Sequence, residues 1–198
     1  MAKEAPDGGG LRERKRLETL RRITEKAQAM FISDGYEATT LNAIAEAAGI
    51  SRRTFFYYFK SKEEILLAWE DSFTDATRAA LIAQSTNQKP LSAARNALIK
   101  LASRYKTDEA LAIDRLLRST ESLRASKQAK YVQQEQAMFE ALCELWPAPK
   151  RRKELRVVAM VSIGALRLAV EAWNQSGGRR SLAKYIEDAF EHLRTLPH

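Results

Sequence analysis

The chain has 198 residues, 45% of them apolar, and a formal net charge of +8. That allows one mid-sized domain or two small ones with an ordinary core; no run approaches the roughly 20 apolar residues a membrane span needs, and the start lacks an apolar secretory core, so cytoplasmic residence is expected. Cys143 is the single cysteine, which excludes an intrachain disulfide and a cysteine zinc site, while the basic balance favours a polyanionic partner without naming it.

Residues 1–10 read as a disordered arm, small and polar, with Pro6 and three consecutive glycines. Residues 12–26 carry seven Lys/Arg against three Glu. Leu17, Leu20, Ile23, Ala27, Met30 and Phe31 recur at helical spacing and predict the inner stripe of a first helix. Its basic beginning could lie along phosphates, reach a minor groove or be a solvated face; the residues leave these open. Asp34, Gly35 and Tyr36 break that helix. Leu41, Ile44, Ala45 and Ala48 share one face of a short second helix, with Thr40 placed to cap it and Gly49 to end it. Ser51 caps a third helix whose first turn holds Arg52, Arg53 and Thr54. Phe55, Phe56 and Phe59 are expected to bury this helix against the first. Tyr57 and Tyr58 are adjacent, so at least one hydroxyl must face out. Ser61 opens a fourth helix, and Lys62 beside it is placed as a phosphate contact or a plain surface lysine.

Beyond residue 64 the pattern stays helical, over 65–84, 91–105, 108–118, 123–146, 154–175 and 182–196. Residues 154–175 are apolar over too wide an arc for a helix that covers one core only. A helix, tight turn and helix with cations at the start of the second can enter the major groove of B-DNA. Arginine can fork onto guanine, and Thr54 can meet a base edge or a thymine methyl. Catalysis finds no support: His192 and His198 are the only histidines, and there is no glycine-rich phosphate loop, paired metal motif or nucleophile elbow. No cofactor and no metal are expected.

The stretch FISDGYEATTLNAIAEAAGISRRTFFYYFKSKEEIL within residues 14–68 resembles the DNA-binding domain of TetR/AcrR-type transcriptional regulators. Residues 114–118, 122–124 and 163–173 resemble the effector domain of mycofactocin-type regulators, a group associated with acyl-coenzyme A. The resemblance implies an all-α protein of nine or so helices. A three-helix helix-turn-helix domain at 11–68 would precede a larger helical bundle at 69–198 for effector binding and dimerisation. It implies that Thr40, Tyr57, Tyr58 and Lys62 touch phosphates and that Ser51, Arg52, Arg53 and Thr54 face the groove. Phe56 stands where the family often has a phosphate-binding tyrosine, and Tyr58 where it often has histidine.

The expected partners are double-stranded DNA bearing a palindromic operator, a second copy joined through 154–175 and 182–196, and a small effector, acyl-coenzyme-A-like or otherwise hydrophobic. Ala159, Ser162, Gly164 and Ala165 are the small residues expected to let paired helices approach, unless they are interior to one chain. Trp69, Phe73, Leu116, Met138, Phe139 and Trp173 could line the effector cavity or be plain core. Arg115, Arg118, Arg124 and Arg167 could hold an acidic head group or pair with nearby carboxylates. The expected function is a homodimeric repressor released by its ligand. The competing readings are a constitutive DNA-binding protein without an effector and a regulator that answers to a protein partner.

Overall fold

The computed structural model describes residues 8–103, 107–118 and 121–195, excluding the side chains of 69–72, 107, 109, 110, 122 and 126. Over those residues the chain is all-helical, with α1 (Gly8–Ser33), α2 (Leu41–Ala47), α3 (Arg52–Tyr58), α4 (Lys62–Ile82), α5 (Pro90–Ala102), α6 (Thr107–Leu117), α7 (Glu121–Leu145), α8 (Arg152–Gln175) and α9 (Leu182–Thr195). A 3-10 turn at Pro149–Arg151 leads into α8, so the cationic run there is the entry to a helix. The chain divides into two compact units, Met1–Trp69 and Glu70–His198.

In the first unit α1 buries Ile23, Ala27 and Phe31, spaced four apart on one stripe. Ile44 and Ala45 of α2, Phe55 of α3, Phe59 after it, and Ile65 and Leu66 of α4 are buried in the same unit, with α1 packed on α2 and α2 on α3. Helices α2 and α3 have seven residues each. Helices that short are not stable alone, so these contacts order them. Two expectations need correction here. Leu17 is exposed rather than part of the inner stripe: α1 is about 39 Å long against about 10 Å for α2 or α3, and the stripe outruns what can cover it. Phe56 is also exposed. Neighbours on a helix point about 100° apart, so Phe55 and Phe59 take the inward face and Phe56 cannot share it. In addition, α1 starts at Gly8, inside the stretch read as an arm, while residues 1–7 of that arm lie outside the described residues.

The core of the second unit joins α4, α5, α7, α8 and α9 through Leu81, Ala94, Leu98, Met138, Leu142, Leu155, Ala159, Leu166, Ile186 and Phe190. Helix α8 packs against α5, α7 and α9. Its end is closed by Gly178 N–H on the Trp173 carbonyl at 3.0 Å and Gly177 N–H on the Asn174 carbonyl at 2.9 Å. Ala159, Ser162 and Ala165 are buried in their own chain's interior, which corrects their expected role at a partner helix; Gly164 alone of the four is exposed. The inward face of α7 changes character along its length. Lys130 and Gln134 are buried in its first half, with Lys127 nearly so, and Met138, Ala141 and Leu142 in its second. Lys127 and Arg118 both bind the buried Asp114 carboxylate of α6, Arg118 at 2.6 Å.

Candidate nucleic-acid interface

The helix-turn-helix is set by capping. Thr40 Oγ1 accepts the Ala43 N–H at 3.1 Å and starts α2. After Ala48, Gly49 takes φ +64°, the left-handed region that glycine reaches at little cost. Ile50 N–H then reaches the Ala45 carbonyl at 3.1 Å and Gly49 N–H the Glu46 carbonyl at 2.9 Å. This two-bond closure satisfies the last carbonyls of α2 and turns the chain sharply. Ser51 Oγ accepts the Thr54 N–H at 3.1 Å and shares a 2.8 Å hydrogen bond with the Thr54 hydroxyl. The first turn of α3 is thus fixed before anything binds.

On that turn Arg52 and Arg53 are exposed, and among the described residues neither has a carboxylate partner. The Arg52 guanidinium lies 5.5 Å from the centre of the Phe56 ring. This stacking gives exposed Phe56 a use that its lost hydroxyl does not: it steadies a neighbouring cation. Tyr57 is 78% exposed, and Tyr58 is half-buried with its ring edge-on to Tyr57 at 5.3 Å.

Lys62 is engaged more deeply than a surface lysine would be. Its ammonium donates to the Tyr36 carbonyl at 2.6 Å and lies 4.3 Å from the centre of the Tyr36 ring. The Tyr36 hydroxyl donates to Glu63 at 2.8 Å. Burial, and then that hydrogen bond, push the Tyr36 phenol above its ordinary pKa. Glu63 is held below its ordinary value by its own backbone N–H first and the Tyr36 hydroxyl after it. The turn between α1 and α2 is therefore fastened to the first turn of α4.

A cleft of about 440 Å³ opens between α1 and the end of α3. Arg12, Glu13, Lys15, Arg16 and Thr19 line one wall, Tyr57 and Tyr58 the other. Glu13 receives Arg16 at two points, Nε at 2.9 Å and Nη2 at 2.7 Å. The sequence offers the basic beginning of α1, and the fold sets the two tyrosines of α3 opposite it.

Residues 23–69 match the bacterial regulatory proteins of the tetR family, and residues 88–196, more than half of the chain, match the MftR C-terminal domain. The chain is a TetR-family transcriptional regulator. TcmR of Streptomyces glaucescens is 36% identical over 112 residues, covering 57% of this chain and 50% of that protein. MftR of Mycobacterium tuberculosis is 35% identical over 92 residues, covering 37% of this chain and 46% of that protein. The regulator thus spans about half the length of these curated relatives. The fold is shared with FadR of Thermus thermophilus in complex with lauroyl-CoA, at 23% identity and a TM-score of 0.59 over 90% of this chain and 96% of that one. It is shared too with FadR of Bacillus subtilis in complex with stearoyl-CoA, at 19% identity and 0.61 over 90% and 99%.

Of the residues expected around an effector, Met138 belongs to the core of the second unit and Phe73 and Phe139 pack against that core. Met138 is fully buried core. Phe139, one residue on, is half-buried, and the guanidinium groups of Arg152 and Arg156 lie 5.3 and 5.2 Å from its ring centre. Phe73 and Leu116 are half-buried and Arg115 is exposed. The side chain of Trp69 lies outside the described residues. Trp173 is buried, and its indole N–H has no partner among the described residues. Arg118 pairs with Asp114, Arg124 donates to the Arg118 carbonyl at 2.8 Å, and Arg167 lies 3.4 Å from Glu171. Among the described residues no cluster of His, Cys, Asp and Glu could hold a metal, and no helix is long and apolar enough to cross a membrane.

Proposed function

We propose that this regulator is a homodimeric repressor that reads a two-fold operator through Ser51, Arg52, Arg53 and Thr54, and that an apolar, acyl-type ligand in the second unit releases it. Thr40, Tyr57 and Tyr58 would meet phosphates beside the groove. Lys62, with its ammonium already held by Tyr36, would act mainly by fixing the fold around them.

The observation that carries the doubling is the outer surface of α8. Val157 and Met160 are each 54% exposed and Leu168 64% exposed, with exposed Gly164 between them. They follow one another at three- and four-residue steps, opposite the face that buries Leu155, Ala159, Leu166 and Trp173. An apolar stripe left in water calls for a partner. A Cβ built on Gly164 would meet nothing within 4 Å, so a second backbone can come close there. A two-fold axis places this patch against itself. Doubling also answers an energetic need. One well-formed bidentate base contact discriminates by about 1–3 kcal/mol, whereas specific binding stands about 4–10 kcal/mol above nonspecific binding.

Support for a ligand comes from the interior. Gln134 Oε1, Ser162 Oγ and Trp173 Nε1 are buried with no hydrogen-bond partner among the described residues. Each such atom costs roughly 1–3 kcal/mol, which a molecule carrying carbonyl or hydroxyl groups would relieve. Ser162 and Trp173 stand eleven residues apart, three turns, and so share the inner face of α8. The acyl-CoA complexes of the FadR neighbours make acyl thioesters the first class to try. Release then needs only differential binding: a ligand that prefers a spacing of the reading helices other than about 34–36 Å weakens DNA binding by a coupling of about 1–3 kcal/mol.

The test is light-scattering mass, followed by gel shifts on a duplex that the protein enriches from a randomised pool. Lauroyl-CoA, stearoyl-CoA and uncharged hydrophobic compounds are titrated in turn. Twice the chain mass and loss of the shifted band with one class are expected. A monomer at micromolar concentration, or a band that no compound moves, would overturn the reading.

A further inference from the structure

The junction of α6 and α7 buries charge where hydrocarbon would serve. Asp114 is nine-tenths buried; one of its oxygens accepts from the largely buried Lys127 ammonium and the other from Arg118 Nε at 2.6 Å. Packed apolar residues in place of a buried ion pair are often as stable or more so, so stability alone does not account for this one. We infer that it is a carboxylate site: the ligand carries a free carboxylate, which takes the place of Asp114 on Lys127 and Arg118. This rests on the acyl-type ligand proposed for the second unit and names its head group.

The inward face of α7 has the profile of such a molecule. Leu123, Lys127, Lys130, Gln134, Met138 and Ala141 follow at three- and four-residue steps and form one stripe, buried or nearly so. The stripe is polar from Lys127 to Gln134 and apolar from Met138 on, where it joins the core built by Leu81, Leu98 and Leu166. Lys127 and Met138 stand about 16 Å apart along the helix. An acid with an extended hydrocarbon tail has the same order, a head that needs cations and a tail that needs none. Helix α8 adds a donor. It runs antiparallel to α7, since Arg156 donates to Gln136 at 2.8 Å and the Arg167 guanidinium lies 5.9 Å from the centre of the Tyr131 ring. Trp173, six residues past Arg167, is therefore level with Lys127 to within about one turn. Its buried indole N–H has no partner among the described residues.

This chemistry selects the free acid over its thioester or alcohol. A carboxylate gives Lys127 and Arg118 one charged oxygen each, as Asp114 does. A thioester carbonyl has one uncharged oxygen, and the phosphates of coenzyme A are hydrated charges that so buried a site does not take in. An alcohol brings no charge at all. Asp114 has a way out, because Arg118 is exposed to water. Asp114 is thus an internal competitor. Removing its charge tightens the acid, and removing Lys127 loosens it.

The experiment is isothermal titration of the full chain with sodium laurate, dodecanol and lauroyl-CoA, each below the concentration at which it aggregates. Laurate should bind about tenfold tighter than the other two, a factor that one charge-assisted hydrogen bond supplies. Asp114→Asn should bind laurate about tenfold tighter again and leave dodecanol unchanged. Lys127→Met should bind laurate no better than dodecanol, and so should the paired variant Asp114→Asn with Lys127→Met, which removes both charges together. A gain in affinity cannot come from misfolding, and the paired variant decides if Lys127→Met does not melt cooperatively. If dodecanol or lauroyl-CoA binds as tightly as laurate, the head group is not a carboxylate; the inference fails and the proposed acyl-type ligand stands. If Lys127→Met and the paired variant keep the preference for laurate, the carboxylate is held elsewhere and the inference fails. If Asp114→Asn does not tighten laurate, Asp114 is not displaced and the exchange is wrong. If no compound binds, the inference and the proposed ligand fall together.

Discussion

Lys62→Met separates two roles that one lysine could have. If Lys62 chiefly touches DNA, the DNA-free protein should not notice its loss. If it chiefly fastens α4 to the turn at Tyr36, stability should fall before any DNA is added. The 2.6 Å hydrogen bond to the Tyr36 carbonyl is charge-assisted, a class of bond that contributes about 1.5–3 kcal/mol. The ammonium over the Tyr36 ring adds about 0.5–1 kcal/mol at a partly exposed site. Methionine keeps the apolar stem, so the loss is roughly 2–3 kcal/mol once partial exposure is allowed for. That is a large share of the about 5–15 kcal/mol by which domains are stable, and roughly 4–12 °C in melting midpoint for a chain of this size. Urea unfolding followed by circular dichroism reads it directly, with an unchanged m-value as the check on two-state behaviour. A midpoint equal to the wild type, together with a salt slope shallower by about 0.9, would refute the structural role and make Lys62 a phosphate ligand.

Met160→Asp should split the dimer, seen as a halved mass in sedimentation, while leaving the melting of the single chain nearly unchanged; Ala159→Leu should do the reverse, lowering stability by about 1–3 kcal/mol through overpacking. Arg52→Ala and Arg53→Ala should each relax discrimination at particular base pairs by about 1–3 kcal/mol, and a selection experiment that returns the wild-type sequence for both would remove them from the reading surface. Glu63 titrates below its ordinary value in the folded chain, so its stabilising effect is present above the unfolded value near about 4.3 and is lost as pH falls through the folded one. Wild type should therefore lose more stability than Glu63→Gln between about pH 5 and 3, and superimposable acid limbs would contradict the assigned hydrogen bonds.

The helices were legible because most of them carry a one-sided apolar stripe and end at residues with a mechanism. Gly49 is the clearest case, a glycine where a positive φ is required. What was not legible is which object a stripe faces. Ala159, Ser162 and Ala165 look like a close-approach seam for a partner, yet in the fold they approach neighbours in their own chain; Val157, Met160 and Leu168 looked no different and are the ones left in water. Phe56 illustrates a second limit. Three phenylalanines within a run of five aromatic residues suggest core, but a seven-residue helix has room to bury one narrow face. Lys62 illustrates a third, since nothing local announces that a carbonyl twenty-six residues earlier will meet its ammonium. The α1 cleft needed both helices in place before its charges had a shape.

One helix holds a final consequence. The beginning of α7 turns lysine and glutamine inward, and its end turns methionine, alanine and leucine. Opening the first half releases ionic groups to water that hydrates them well, whereas opening the second exposes hydrocarbon. Amide protons along α7 should accordingly exchange in two waves, the early residues through local fraying and the late ones only when the whole bundle lets go.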